Sequence, residues 1–397
     1  MTVAATLLAA TPAQAAQRVD PGFLGIHVPG VQGGLWPTVG VGSVRLWDTD
    51  TAWAQVERRP GRYDWRALDS AVATARRNRA SILLVLGPTP TWAASRKAPG
   101  YDYPVPGAAS PPRNVTWWDR YVTKVVTRYK GRIQAYQVWN EASLLNFWNG
   151  TPAQMADLTA RAYKIVKKID PKAKVVGAST TTRLVGSYQR FFPPYLRALR
   201  SRGWPVDVFA GHFYPPGTGD PADRAALIQL VQRELRRAGA PKRPLWDTES
   251  NFGLAGPGTV PYRSITGAKA AAWTGAAYMD SLRLGVSRTY WYAWTSGPYD
   301  LLGVQAYPGT PAAKAMGTLD RWLRGARVQR CSSRGAVRAC DVVKSGRRAT
   351  IMWTSGSRVV VAAPAGTKKR CTVRRWCRAT KPGASVRLTT SPVWFGR

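Results

Sequence analysis

Two short stretches carry the residue types from which a catalytic centre could be built. Gln137-Val138-Trp139-Asn140-Glu141 is an apolar run ending in an amide and a carboxylate. Far downstream, Pro244-Leu245-Trp246-Asp247-Thr248-Glu249 repeats that form. Two glutamates at the ends of two predicted strands imply one pocket with two carboxyl groups. Such a pair is the minimum equipment for cleaving a glycosidic bond. One glutamate alone would read as a salt-bridged structural group; two, at these strands and in aromatic company, point to chemistry.

Other chemistries have little to build with. His27 and His212 are the only histidines, too few for a His-rich metal site and a poor basis for a Ser-His-Asp triad. No phosphate-binding Gly-Lys-Ser/Thr loop occurs, so neither a metal nor a cofactor is expected.

The elements that must position the glutamates alternate short apolar runs with amphipathic stretches from Phe23 to about Leu323. This is the pattern of a parallel sheet built from βα units. Eight strands are predicted: Phe23–Val28, Ser43–Trp47, Ser81–Leu86, Ala135–Trp139, Lys174–Gly177, Val206–Ala210, Pro244–Asp247 and Arg288–Trp291. Thr151-Pro152-Ala153-Gln154 reads as a capping box with proline at the first helical position, and Asp220-Pro221-Ala222-Asp223 has the same logic. Leu68, Ala71, Val72 and Ala75 share one helical face, as do Leu227, Ile228, Leu230, Val231 and Leu235.

Eight strands and their helices fit a (β/α)8 barrel, a TIM barrel of the α/β class. The competing open doubly wound sheet usually announces itself with GxGxxG after its first strand, which is missing here. In a barrel the active site lies at the C-terminal ends of the strands. Glu141 and Glu249, 108 residues apart, would then face each other across the mouth.

At this point the motifs resemble the retaining glycoside hydrolases of clan A. Arg45-Leu46-Trp47-Asp48, Gly61-Arg62-Tyr63-Asp64-Trp65 and Thr89-Pro90-Thr91-Trp92-Ala93 are similar to glycoside hydrolase family 39, which includes xylosidases, iduronidases and endo-acting exopolysaccharide hydrolases. The chain has Asn140-Glu141-Ala142 where such enzymes often have Asn-Glu-Pro. The resemblance implies Glu141 as acid/base, with a raised pKa, and Glu249 as nucleophile. It also implies Asn140 as donor to a sugar 2-hydroxyl, Arg45 and Tyr214 as partners keeping Glu249 ionised, and His212 beside the acid/base. Tryptophans are abundant, and sugar C–H faces stack on aromatic rings; Trp291, Trp294, Trp92 and Trp148 are the candidates, with Trp291 as the sugar floor.

Beyond Arg324 the texture changes to short β-branched runs bounded by Gly, Ser and Lys. The expected organisation is an export signal over 1–16, a catalytic barrel over 17–325, and a small basic all-β domain over 326–397. Val3 to Ala10 and Ala13-Gln14-Ala15 supply the apolar run and small-x-small site of the signal, without a positive n-region. Cys331, Cys340, Cys371 and Cys377 form an even cluster that reads as two disulfides in an exported protein. The local pairing 331–340 and 371–377 is expected among three connectivities.

The chain carries 58 Lys and Arg against 21 Asp and Glu, a net charge of +37. Such a surface attracts polyanions. A secreted or wall-associated glycosidase with a polysaccharide substrate, itself acidic or embedded in an anionic cell-wall polymer, accounts for it. A solvated arginine bias is the bland alternative, and a non-catalytic wall-binding barrel is the alternative from another class. Specific nucleic-acid binding is not expected: no HTH, RRM or OB signature accompanies the charge. No stretch of eighteen or more apolar residues is present to span a membrane.

Overall fold

The computed structural model of the chain describes residues 17–96, 103–256 and 261–397. The expected export signal lies outside the described residues.

Eight parallel strands form one sheet: Leu24–His27, Ser43–Leu46, Ser81–Val85, Ala135–Gln137, Lys174–Val176, Phe209–His212, Leu245–Ser250 and Val286–Trp291. Neighbours in sequence are neighbours in space, and the first strand pairs with the eighth through Leu24 opposite Thr289. The fifth and sixth strands meet at the parallel bridges Val176–Val208 and Thr181–His212, which nearly close the ring. This is a (β/α)8 barrel with its strands in the predicted order. The sixth strand begins later than its apolar run implied, and the seventh extends to Ser250, so Glu249 lies inside a strand. Between the first two strands the helix is replaced by a single 3-10 turn, Val31–Gly33.

Local signals set the helices. In Pro152–Ile169 the Thr151 hydroxyl accepts from the Gln154 amide at 3.1 Å, and the Gln154 side chain accepts from the Thr151 amide at 2.8 Å. Asp220 and Asp223 do the same for Pro221–Arg237. Leu68, Ala71, Val72 and Ala75 of Arg66–Arg77 are buried against the sheet. Each large apolar side chain so buried contributes about 1.5–3 kcal/mol.

Inside the barrel, alternation along the strands builds layers. Leu83, Ala135, Val176, Val208, Ala210, Trp246 and Tyr290 form an apolar floor in which small alanines sit with a tryptophan and a tyrosine. Nearer the mouth, buried His27, Arg45, Gln137 and Thr248 make a polar layer. On the outer face of the seventh strand, Arg224 ion-pairs with Asp247, and neither side chain is exposed to solvent. Arg224 also donates to Ser250 Oγ at 2.8 Å, Ala277 O at 2.9 Å and Ser281 Oγ at 2.8 Å.

Of the eight strands from Arg327 onward, six join an antiparallel sheet of seven and two form a separate pair. Cys331 opposes Cys340 and Cys371 opposes Cys377 in register, bonded at 2.05 Å and 2.08 Å. This is the local pairing. The sheet is not drawn from the C-terminal segment alone, because Gln17–Arg18 adds an edge strand to Arg327–Arg334. One continuous core joins it to the barrel, with Ile351, Trp353 and Val373 in the same apolar cluster as the helix Gly267–Arg283. No described helix is long and apolar enough to cross a membrane.

Removing one partner of a buried ion pair leaves an uncompensated charge, which costs about 3–5 kcal/mol. Arg224→Ala is therefore expected to lower stability in urea by about that amount. A loss under about 1 kcal/mol would mean that the pair does not hold helix to strand.

Candidate functional site

The fourth strand and the loop after it bring Asn140 and Glu141 to the barrel mouth. Glu141 has φ +39°, a left-handed conformation that side-chain-bearing residues rarely adopt. Two hydrogen bonds hold it there: Glu141 N donates to Ser179 Oγ at 2.9 Å, and Ala142 N to Ser179 O at 2.9 Å. The second bond explains the departure from Asn-Glu-Pro, since proline has no N–H to donate.

A local irregularity delivers Glu249. Trp246 faces the barrel interior and Asp247 faces outward to Arg224, so alternation would point Glu249 outward as well. The pairing with the sixth strand slips: Gly211 opposes Asp247 but His212 opposes Glu249, leaving Thr248 extra. Such a bulge re-aims the next side chain. Thr248 stays inside, its hydroxyl accepting from Gln137 Nε2 at 3.2 Å, and Glu249 reaches the mouth.

There the two glutamates and His212 place one oxygen or nitrogen each within 4.8 Å of one another. Arg45, fully buried, donates to Glu249 Oε1 at 2.5 Å, Asn140 Oδ1 at 2.7 Å and Gln137 Oε1 at 2.7 Å. The Tyr214 hydroxyl donates to Glu249 Oε2 at 2.9 Å. Both oxygens of Glu249 are thus held by donors. Glu141 is held by one oxygen only: Oε1 accepts from Thr181 Oγ1 at 2.6 Å and lies 3.0 Å from His212 Nδ1. Its Oε2 is without a hydrogen-bond partner among the described residues and is free to carry a proton.

The cleft around the pair has a volume of about 360 Å³ and includes Asn140, Glu141, Tyr214 and Glu249 in its lining. None of the four expected tryptophans lines it. Trp291 follows inward Tyr290, so alternation turns it outward, against Tyr278 and Phe252. Trp294 is fully buried beneath the following loop, where Thr295 N donates to Ala306 O. Trp92 sits beside Trp53 and Trp117 and donates to Glu57 O at 2.7 Å. Trp148 packs on Trp139 and donates to Thr151 O at 3.2 Å.

The aromatic lining comes instead from Trp47, Tyr103, Phe147, Tyr292 and Tyr299, with Tyr214. Tyr292 was legible from strand parity, two residues past inward Tyr290. Trp47 and Asp48 directly follow the second strand, the position where barrel site residues gather. Asp48 accepts from Tyr292 at 2.7 Å and from Tyr103. Arg183, after the fifth strand, had no sequence signal; it is the one cation lining the cleft among the described residues.

The titration directions differ from expectation. Burial pushes the Glu141 carboxyl up, but His212 and the Thr181 hydroxyl favour the charged form, and the result lies below the ordinary value. For Glu249 burial prevails over His212 and Arg45, so its carboxyl lies above the ordinary value. The expected contacts to Glu249 form, yet they reduce the effect of burial rather than reverse it. With the His212 contribution gone, burial and the neighbouring Glu249 charge should dominate at Glu141. His212→Ala is expected to move the Glu141 titration to higher pH, read by carbon NMR of labelled side-chain carboxyls. An unchanged Glu141 midpoint would remove His212 as its controlling neighbour.

No protein-family model matches the chain. A β-xylosidase of Geobacillus stearothermophilus is 26% identical over 171 residues, which is 36% of this chain and 32% of that protein. A β-xylosidase of Caldicellulosiruptor saccharolyticus is 24% identical over 255 residues, 56% of this chain and 49% of that protein. The chain spans less than half the length of these curated relatives. Among solved structures, a family 39 glycoside hydrolase from Bacteroides cellulosilyticus WH2 superposes with a TM-score of 0.69 at 17% identity, covering 95% of this chain and 81% of that one. A monomeric β-xylosidase from Caulobacter crescentus CB15 gives 0.67 at 17% identity, covering 96% and 97%. The barrel, its appended antiparallel sheet and these relatives make the chain similar to the clan A glycoside hydrolases, and within them most similar to family 39.

Proposed function

We propose that the protein is a retaining glycoside hydrolase acting on β-linked sugars of an extracellular or cell-envelope polysaccharide. The observation that carries this reading is the Glu141–Glu249 pair, with carboxylate oxygens within 4.8 Å. Retaining enzymes hold their carboxyl groups about 5–5.5 Å apart, whereas inverting enzymes leave about 6.5–9.5 Å for a water. Glu249, oriented through both oxygens, attacks the anomeric carbon. Glu141 gives a proton to the leaving oxygen from its free Oε2 and then takes one from water. His212 Nδ1 lies 3.0 Å from Glu141 Oε1, where the imidazole orients the carboxyl and can pass a proton to it. Asn140, with its carbonyl oxygen held by Arg45, has its amide N–H groups left to donate to the sugar.

A pair of intact carboxylates with a dedicated clamp supports turnover rather than binding alone. The two curated β-xylosidases make aryl β-xylosides the first substrates to try. Arg183 supports an acidic sugar: it lines the cleft and, among the described residues, makes no ion pair and leaves Nε without a partner. The expected export signal and two disulfides support a secreted or wall-associated location.

Azide rescue tests the two roles. Glu249→Ala should lose turnover of aryl β-xylosides, and azide should restore it as the glycosyl azide of inverted configuration. Glu141→Ala should lose about 10²–10⁴-fold on substrates with poor leaving groups, and azide should give the retained product. Wild-type turnover surviving in Glu249→Ala without azide would sink the assignment. Arg183→Gln should lower kcat/KM on a uronate-bearing substrate by about 10–100-fold, the worth of one charge-assisted hydrogen bond. An equal loss on the neutral analogue would reject the acidic-sugar reading.

A further inference from the structure

A second cleft, of about 870 Å³, lies away from the carboxylate pair, between the last barrel helix, Pro311–Leu323, and the C-terminal sheet. Arg321, Lys344, Arg347, Lys369, Arg375 and Arg397 line it, and no acidic residue does. Among the described residues none of the six makes an ion pair, and the nearby Asp320 is already bound to Arg324. The buried cations of the barrel, by contrast, are paired, Arg45 with Glu249 and Arg224 with Asp247.

The cleft is also built at a conformational cost. Arg375 stands at the tip of a hairpin with φ +66°, a position where glycine or asparagine is the usual choice. Thr372 closes this turn by accepting from Arg375 N at 3.0 Å, and the Cys371–Cys377 disulfide closes the hairpin beneath it. From there the guanidinium reaches across to the helix, 3.5 Å from the site of a side chain at Gly317. It faces Arg321, whose own guanidinium is held below its ordinary value by burial and then by Arg375. Asp320 offsets this in part, and an anion bound between the two guanidinium groups would relieve it further. Half-buried Trp322 and Trp394 add ring surface in the same cleft.

We propose that this cleft is a docking site for an anionic polysaccharide, its carboxylates engaging the guanidinium forks and its sugar faces lying on the tryptophans. The planar fork of arginine matches a carboxylate bidentately, and four of the six bases are arginines. Choosing a glycan over other polyanions rests on the glycosidase reading; the unbalanced cationic cleft does not.

The probe is polygalacturonate, with neutral xylan and duplex DNA as comparison ligands, bound to the full-length Glu249→Ala protein at about 0.1 M salt, where the Debye length is about 10 Å. Polygalacturonate should bind and xylan should not. Arg321→Gln with Arg375→Gln should weaken binding about tenfold or more. Arg387→Gln with Arg358→Gln, the same charge change outside the cleft, should leave it within about twofold. Unchanged thermal midpoints confirm that both variants fold. Equal losses in both pairs would show diffuse attraction and overturn the site. Tighter binding of DNA than of polygalacturonate would overturn the glycan occupant. Cleft-dependent polygalacturonate binding by a protein that hydrolyses nothing would retain the site and reject the glycosidase reading alone.

Discussion

A guanidinium sealed inside a barrel must be neutralised and fully hydrogen-bonded, or the fold cannot hold it. Arg45 meets that demand by donating to groups from the fourth and seventh strands at once: Gln137, Asn140 and Glu249. Within the polar layer above the apolar floor, Gln137 accepts from this residue. Arg45 also fixes the carboxylate that faces the cleft, so the requirement of stability and the requirement of geometry are met by the same contacts.

The seventh strand shows how closely structure and site are joined. Its outward face is tied to a helix by Arg224, and its inward face carries Trp246 into the floor and Thr248 into the polar layer. One extra residue between those faces turns Glu249 toward the mouth. Glu141 is delivered by a different device, a left-handed backbone pinned by Ser179. Neither carboxylate sits where regular secondary structure alone would put it. Regular elements supply rigidity; the irregularities aim the side chains.

The strands and their order were legible because alternating apolar and amphipathic segments are a long-range signal repeated eight times. The expectations for Arg45, Asn140 and Tyr214 came from the resemblance of the motifs to family 39, and the structure brings Arg45 and Tyr214 onto Glu249. Trp291 stays out of the cleft for a local reason: Tyr290, Trp291 and Tyr292 alternate in, out and in. Arg183 and Tyr103 lie in loops whose course no periodicity encodes. The direction of the carboxyl shifts was equally out of reach, since it depends on His212 and Thr181 arriving from other strands. The short segment Gln17–Arg18, read as the start of the barrel, joins a sheet from the opposite end of the chain.

That last pairing makes the small sheet discontinuous in sequence. Gln17 lies opposite Val328, with the whole barrel between them. Gln17 and Arg18 therefore have no partner strand until Arg327–Arg334, beyond the whole barrel in sequence, is in place. The edge of the sheet then closes over the entry to the first barrel strand, since Val19 N donates to Ala326 O at 2.9 Å. Closing so long a loop is slow, because its entropy is lost before any contact rewards it. The sheet therefore acts as a clasp fastened last, and a chain cut off before Arg327 would leave the barrel with its leading end unfastened.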